Sequence, residues 1–270
     1  MLIMRGKITH GEVIKMESVK KEYLKYLDGK NVIIVGPSKS LEGTRMGKKI
    51  DSKDVIVRLN NSYPIYYSGI MRDIGSRTDV LYHTGAIDTC LRYAANLNKV
   101  GRIQILDKDH LKWYVAKRDH ILGSKTDKKF LEKFPQLVNQ YFIGEKKKDK
   151  IKILNVGIRF MNELDVIFKN TDANMSTLAI LHLLQYNIKS LEIVGCDFYS
   201  SGYNKGYTIY NTIKWDDKTK SLIRVDGKKR RKPQKPHDYR IQIEFLLNVI
   251  ENSNKIIIDQ NILKKWKSKL

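Results

Sequence analysis

A turn of small residues near the N-terminus has the composition needed to hold a phosphate or a ribose. It reads Gly36-Pro-Ser-Lys-Ser-Leu41 and directly follows the apolar run Val32–Val35. Small residues at such a turn, here Gly36, Ser38 and Ser40, let backbone amides and hydroxyl groups approach an anion closely. The spacing fits neither the P-loop pattern GxxxxGK[ST] nor the dinucleotide pattern GxGxxG. Taken alone, the turn is a weak signal and favours an ordinary strand-to-helix connection.

A second candidate for anion binding is the start of a predicted helix, which reads Asn174-Met-Ser176. The first backbone N–H groups of a helix have no partner within the helix, and the helix dipole is positive at this end. A nucleotide phosphate suits such a place. Asn174 is also a favourable N-cap residue, and capping and ligand contact can coexist.

Residues that commonly bind metals do not cluster in the sequence. The two cysteines, Cys90 and Cys196, are far apart, and the six histidines follow neither HxH nor HExxH spacing. We therefore expect neither a zinc site nor a disulfide framework. Asp107-Lys-Asp109 follows an apolar run and matches a DxD metal-binding pattern. Acidic pairs after strands are common, however, so we expect no metal ion there either.

The order of apolar runs and helix-like segments predicts the fold class. The predicted strands are Val32–Val35, Val55–Val57, Val80–Tyr82, Ile103–Leu106, Ile151–Leu154, Leu191–Val194 and Ile256–Ile258, and the predicted helices are 16–28, 87–98, 127–140, 160–169, 174–187 and 238–251. Strands that alternate with helices indicate an α/β, Rossmann-like fold with a mostly parallel sheet and helices on both faces. In this class the ligand site lies beyond the carboxyl ends of the strands. We expect residues 1–270 to form a single domain.

One segment interrupts this alternation before the helix predicted at 238–251. It reads Asp226-Gly-Lys-Lys-Arg-Arg-Lys-Pro-Gln-Lys-Pro236 and ends directly at His237. Glycine, two prolines and a dense basic cluster predict a flexible loop over 226–236.

The region around the first turn resembles a known long motif. After the turn come Gly47-Lys-Lys-Ile-Asp51, Asp54-Val-Ile-Val-Arg58-Leu-Asn60 and Asp73-Ile-Gly-Ser-Arg-Thr-Asp79. Together with the turn, these segments are similar to the L motif of the family 29 sialyltransferases (glycosyltransferase family 29). That motif reads V-V-G-x-S-x-S-L, then G-x-x-I-D-x-x-D-x-V-x-R-x-N, then D-x-G-x-x-T. The order and spacing are kept throughout.

Two further segments strengthen the resemblance. Asn174-Met-Ser-Thr-Leu-Ala-Ile-Leu181 and Leu191-Glu-Ile-Val-Gly-Cys-Asp-Phe-Tyr199 are similar to the S motif of the same family, and 195–199 also resembles a segment of the bacterial family 42 sialyltransferases. His237-Asp-Tyr-Arg-Ile-Gln-Ile-Glu244 resembles the short His-and-Glu motif near the C-terminus of both families.

The resemblance implies a GT-A-like sialyltransferase variant of the Rossmann-like fold. It implies an enzyme that moves sialic acid or a related nonulosonic acid from a CMP-sugar to the hydroxyl group of a glycan or glycolipid acceptor, with inversion and without a metal cofactor. His237 would be the general base, and Tyr199 together with Tyr207, or Tyr203 instead of Tyr207, would stabilise the departing phosphate. The nucleotide-binding residues implied are Gly36, Ser38, Ser40, Asn60, Asn174 and Ser176.

Charge leaves the partner open. Lys and Arg number 51 and Asp and Glu 29, a net charge of +22 that indicates a polyanionic partner. One alternative is a glycosyltransferase that modifies nucleic acid, and another is a non-catalytic nucleic-acid-binding protein.

No apolar run reaches membrane-helix length and the first residues lack a signal peptide, so we expect a cytoplasmic protein. The basic loop and the tail Ile262–Leu270 would touch an anionic membrane surface.

Overall fold

The computed structural model describes residues 10–60, 62, 69–84, 111–117, 151–169, 171–198, 200–204, 213–216, 221–224 and 238–270. The helices in these residues are α1 (His10–Leu27), α2 (Gly47–Asp51), α3 (Met71–Ile74), α4 (Ile158–Ile167), α5 (Met175–Leu183), α6 (Tyr239–Glu251) and α7 (Gln260–Lys267). The strands are β1 (Asn31–Val35), β2 (Val55–Leu59), β3 (Val80–His83), β4 (Trp113–Ala116), β5 (Lys152–Asn155), β6 (Ser190–Val194), β7 (Ile213–Asp216), β8 (Ser221–Arg224) and β9 (Ile256–Ile258). None of these helices is long and apolar enough to cross a membrane.

Seven strands form one parallel sheet in the order β5-β4-β3-β2-β1-β6-β9. Every neighbouring pair in it is parallel, so each connection returns to the same edge before the next strand begins. The predicted α/β, Rossmann-like class is therefore confirmed. Strand β4 and the separate antiparallel pair β7–β8 were not predicted, and the run Ile103–Leu106 lies outside the described residues.

The two faces of the sheet bury two different cores. Alternate side chains of a strand point to opposite faces, so Val32 and Ile34 of β1 join one apolar cluster while Ile33 and Val35 join another. The larger cluster includes side chains of α1, α4, α5, α6 and α7. The smaller one includes Ile50 of α2. Helices therefore cover both faces, as the sequence pattern predicted.

A buried polar network ties α1 and α5 to the sheet within the larger core. The Tyr82 hydroxyl group lies 2.7 Å from Nδ1 of His182 and 3.3 Å from the Tyr23 hydroxyl oxygen, and the Tyr186 hydroxyl oxygen lies 3.2 Å from Nε2 of His182. Burial, with a smaller contribution from the charge of Lys20, lowers the pKa of His182 to about 3. His182 is therefore neutral at physiological pH and serves the core.

Candidate functional site

The strand order reverses between β1 and β6, and this is where the described polar pocket lies. From β1 the chain continues outward through β2, β3, β4 and β5, whereas β6 and β9 lie on the other side of β1. In open parallel sheets, ligands bind beyond the carboxyl ends of the strands at such a reversal. A pocket opens there, lined by Pro37, Ser38, Leu59, Asn60, Met175, Ser176, Gly195, Cys196, Asp197, Phe198, Gly202 and Tyr203.

Two glycines allow the loops after β1 and β6 to touch. A Cβ atom on Gly36 would lie 2.2 Å from the carbonyl oxygen of Gly195, a separation that no side chain tolerates. Gly195 has φ of 64°, in the left-handed region, and a Cβ atom there would lie 2.6 Å from Cδ1 of Leu41. The Ser38 N–H donates to the Gly195 carbonyl oxygen at 3.1 Å. Gly36 therefore acts beneath the pocket, by permitting the close approach of the two backbones.

A buried carboxylate fixes the same two loops. Oδ2 of Asp197 accepts hydrogen bonds from the Ser38 hydroxyl group at 2.7 Å and from the Ser201 N–H at 3.1 Å. The Lys265 ammonium group lies 3.6 Å from this oxygen. Ser38 also accepts from the Ser40 N–H at 3.0 Å. The hydroxyl group of Ser38 is thus engaged within the protein, and Ser40 lies behind it and does not line the pocket.

Asn60 lies at the pocket wall, one residue beyond the end of β2. Its φ of 50° is in the left-handed region, which asparagine tolerates better than most residues. The Asn60 N–H donates to the Tyr82 carbonyl oxygen at 2.7 Å, and its Oδ1 accepts from the Thr84 N–H at 3.1 Å. Among the described residues the Nδ2 group has no acceptor. The side chain is therefore held by its oxygen while its amino group remains available to a ligand.

The start of α5 also lines the pocket. Oδ1 of Asn174 accepts from the Thr177 N–H at 2.8 Å and from the Ser176 hydroxyl group at 2.8 Å, so Asn174 is the N-cap. Ser176 lines the pocket and Asn174 is buried behind it. Within the described part of the chain, the N–H groups of Met175 and Ser176 have no acceptor. The positive end of the helix dipole and these free donors favour an anion at this wall.

Two buried side chains that the sequence analysis missed hold the segment before α5. Gln242 of α6 accepts from the Asn174 N–H at 3.0 Å and donates from Nε2 to the Asp172 carbonyl oxygen at 3.2 Å. The Lys117 ammonium group donates to Oδ1 of Asp172 at 2.7 Å and to the Ala173 carbonyl oxygen at 2.5 Å. The sequence did hold one signal for Gln242. It is a polar residue between Ile241 and Ile243, on the apolar face of a predicted helix.

The loop after β6 rests on α7. Nε1 of the buried Trp266 donates to the Cys196 carbonyl oxygen at 2.8 Å, and the Phe198 ring packs edge-on against Trp266 at 5.2 Å between centroids. Phe198 has φ of 50°, which a bulky residue adopts only when its surroundings impose it. Ile262 and Trp266 are buried in the core. The tail predicted to touch lipid therefore exposes lysines and not these two apolar side chains.

Cys196 lines the pocket, and its side chain is buried. Burial and, to a lesser degree, the neighbouring Asp197 carboxylate raise the pKa of this thiol above its ordinary value. A neutral buried thiol is a poor nucleophile and a poor metal ligand. Within the described ranges, no group of three or more His, Cys, Asp or Glu residues has the arrangement to hold a metal ion.

Of the predicted site residues, the structure brings Ser38, Asn60 and Ser176 together at the pocket, with Gly36, Ser40 and Asn174 directly behind them. The predicted catalytic residues His237, Tyr199 and Tyr207 lie outside the described residues, as do Asp107-Lys-Asp109 and the loop 226–236. Tyr203 lines the pocket, and its backbone pairs with Ser38.

Fold and pocket together define a doubly wound α/β protein with a polar site at the reversal of strand order, the arrangement that binds nucleotides in this class. The model of glycosyltransferase family 29 (sialyltransferase) matches residues 9–182, and the chain belongs to this family. The family expected from the motif beginning at Gly36 is thereby confirmed, and the protein is a sialyltransferase-like glycosyltransferase. No match was found among curated protein sequences.

Solved structures of sialyltransferases are similar to this chain at low identity. A mammalian sialyltransferase in complex with Gal-beta-1-3GalNAc-ortho-nitrophenol is 15% identical, with a TM-score of 0.42, over 90% of this chain and 79% of that one. The sialyltransferase CstII from Campylobacter jejuni, in complex with a substrate analogue, cytidine-5'-monophosphate, is 15% identical, with a TM-score of 0.46, over 86% of this chain and 79% of that one.

Proposed function

We propose that this protein transfers sialic acid or a related nonulosonic acid from a CMP-sugar to an acceptor hydroxyl group, with inversion and without a metal ion. The observation that carries the proposal is the pocket between β1 and β6, where Asn60 and the start of α5 present unpaired hydrogen-bond donors to the same space. Membership of the family supplies the reaction class. The acceptor is a glycan or glycolipid.

The phosphate of CMP binds at the start of α5. The N–H groups of Met175 and Ser176 have no acceptor among the described residues, and both residues line the pocket. Hydrogen bonds to a charged acceptor are stronger than those between neutral groups. The Nδ2 group of Asn60 donates to the ribose or phosphate. The Gly36–Ser40 loop closes the third side, held rigid by Asp197.

Transfer requires a base for the acceptor and charge stabilisation for the leaving group. The acceptor oxygen forms a bond to the anomeric carbon as the bond from that carbon to the CMP phosphate oxygen breaks, and the acceptor proton passes to a neutral imidazole at His237. Attack opposite the departing CMP inverts the configuration. Tyr199 and Tyr207 donate hydrogen bonds to the phosphate, and Tyr203, which lines the pocket, is the alternative to Tyr207.

The proposal is tested by nucleotide release measured with mass spectrometry. The chain is incubated separately with CMP-Neu5Ac, CMP-Kdo and several UDP-sugars, with and without EDTA. We expect enzyme-dependent release of CMP from a CMP-sugar at a rate that EDTA leaves intact. Release from UDP-sugars alone would refute the donor, and turnover that EDTA abolishes and Mg²⁺ or Mn²⁺ restores would refute metal independence.

A further inference from the structure

A buried side-chain amide joins α6 to the segment that begins α5. Gln242 has no exposed surface, and both ends of its amide are used. Oε1 accepts from the Asn174 N–H at 3.0 Å, and Nε2 donates to the Asp172 carbonyl oxygen at 3.2 Å. The amide thus pairs with two backbone groups of a segment that is 68 residues away in the sequence.

The two elements joined in this way are the start of α5, which lines the pocket, and the helix that follows His237 in the sequence. Asn174 is the N-cap of α5, and Ser176 lines the nucleotide pocket. On the other side, α6 starts at Tyr239 with Asp238 as its N-cap, whose Oδ1 accepts from the Arg240 N–H at 3.0 Å. His237 is bonded directly to Asp238. In the sequence, α6 is therefore the element that follows the proposed base.

We propose that Gln242 is a positioning residue that fixes α6, the helix that follows the proposed base His237 in the sequence, against the phosphate-binding start of α5. The inference rests on the proposed function, in which His237 takes the acceptor proton and the start of α5 holds the CMP phosphate. Gln242 does not touch the substrate. It acts through the placement of α6, so its loss lowers turnover more than it lowers CMP affinity.

The start of α5 has other supports that keep the nucleotide pocket in place without Gln242. Lys117 donates to the Ala173 carbonyl oxygen at 2.5 Å, and Asn174 keeps its capping bond to the Thr177 N–H. Those bonds hold α5 to β4 and cap its first turn. Among the described contacts of the segment 172–174, the Gln242 amide supplies the hydrogen bonds to α6.

The decisive variant is Gln242→Glu, because a neutral carboxyl group keeps one donor and one acceptor whereas a carboxylate has acceptors only. Burial raises the pKa of a carboxyl group, so the variant is neutral at low pH. The charged side chains at the same segment, Asp172 and Lys117, are paired with each other. As the pH rises, the carboxyl group of the variant loses its proton and with it the hydrogen bond to the Asp172 carbonyl oxygen. The resulting carboxylate is repelled by that oxygen, because both carry negative charge.

The readout is the ratio of variant to wild-type kcat across the pH range, with CMP affinity and folded fraction measured in parallel. At about pH 5.5 we expect the kcat ratio of variant to wild type to lie within about threefold of one. At about pH 8 this ratio should be lower by about tenfold or more, while the Kd for CMP changes by less than about threefold. The matched control is Gln185→Glu, the same change at an exposed position beyond the end of α5. Its ratio stays flat.

Three results overturn the inference. The first is a kcat ratio of Gln242→Glu to wild type that does not depend on pH. The second is a loss of CMP affinity as large as the loss of kcat, and the third is a loss of kcat that matches the fraction of unfolded protein measured by circular dichroism. A wild-type chain that neither binds CMP nor consumes a CMP-sugar would instead refute the proposed function. Wild-type turnover with an unaffected variant refutes the positioning role alone.

Discussion

Asn60 uses the two ends of one side-chain amide differently. Its Oδ1 accepts from the Thr84 N–H at 3.1 Å, which fixes the side chain at the end of β2, and its Nδ2 group has no acceptor in the described residues. Asn60→Ala should weaken CMP binding by about 1–3 kcal/mol, the usual contribution of a hydrogen bond to a charged ligand. Titration calorimetry measures this difference.

The control at this position is Asn60→Asp. It retains the acceptor for the Thr84 N–H but replaces the free donor by a negative charge beside the phosphate, so CMP affinity should fall at least as far as in the alanine variant. Unchanged affinity in both variants would remove Asn60 from the nucleotide site.

His237 is the residue on which the proposed chemistry depends. His237→Ala should lower kcat by about 10²–10⁴-fold with little change in CMP affinity, because a positioned general base acts only in the transition state. The wild-type rate should fall as the pH drops through the imidazole pKa. His10→Ala, at the start of α1, is the control and should keep the wild-type rate. Steady-state kinetics that show near-normal turnover in His237→Ala would end the assignment.

At the scale of elements, α7 supports the pocket from below. Trp266→Phe keeps most of the buried ring but leaves the Cys196 carbonyl oxygen without its donor, which lies at 2.8 Å in the native chain. The free energy of unfolding should fall by about 1–3 kcal/mol, since a buried unpaired carbonyl group is costly. Urea unfolding measures the change.

Lys267→Ala provides the comparison, because this exposed side chain lies on the same helix. It should change the free energy of unfolding by less than about 0.5 kcal/mol. Equal stability of the Trp266→Phe variant and the native chain would show that α7 does not hold the loop through this bond.

Elements with a strong local pattern were predictable from the sequence, and others were not. Strands β1, β2 and β6 each contain a short stretch rich in Val, Ile and Leu, and each is followed by small or polar residues that line the pocket. Strand β4 is as long as the predicted runs, but it reads Trp-Tyr-Val-Ala and has a single β-branched residue, whereas most of those runs are rich in Val and Ile. Helix α7 was not predicted, because it buries only Ile262 and Trp266 and many of its other residues are lysines. Two buried apolar residues are too few for a clear helical pattern.

The site was predictable where it follows strands and unpredictable where distant residues meet. Ser38 and Asn60 follow β1 and β2, and the carboxyl ends of parallel strands share one edge. Ser176 was assigned from its place at a helix start and from the resemblance of that segment to the S motif. The roles of Asp197 and Gln242 depend on contacts across 159 and 68 residues of sequence. No local pattern encodes such pairs, so the supports of the site appear only in the folded chain.

At the scale of the whole molecule, the buried His182 links stability to pH. Its pKa in the folded state is about 3, mainly because of burial, whereas an unfolded histidine titrates near 6.5. The unfolded chain therefore binds the proton more readily between these values. The contribution of His182 to stability is complete above about pH 6.5 and declines as the pH falls toward 3 by up to about 1.4 kcal/mol per pH unit.

His182→Gln isolates this effect, because glutamine offers a donor and an acceptor to Tyr82 and Tyr186 but does not titrate. Urea unfolding at several pH values should give a shallower decline in acid for the variant than for the native chain. Identical slopes would contradict the assignment of a neutral buried imidazole.

In the proposed complex, the CMP-sugar is held at the carboxyl edge of the sheet, between β1 and β6. The most direct test is a crystal structure of the chain with CMP bound. We predict the phosphate within hydrogen-bond distance of the N–H groups of Met175 and Ser176, with Nδ2 of Asn60 against the ribose or phosphate. CMP bound elsewhere, with this pocket empty, would show that the nucleotide site is not between β1 and β6.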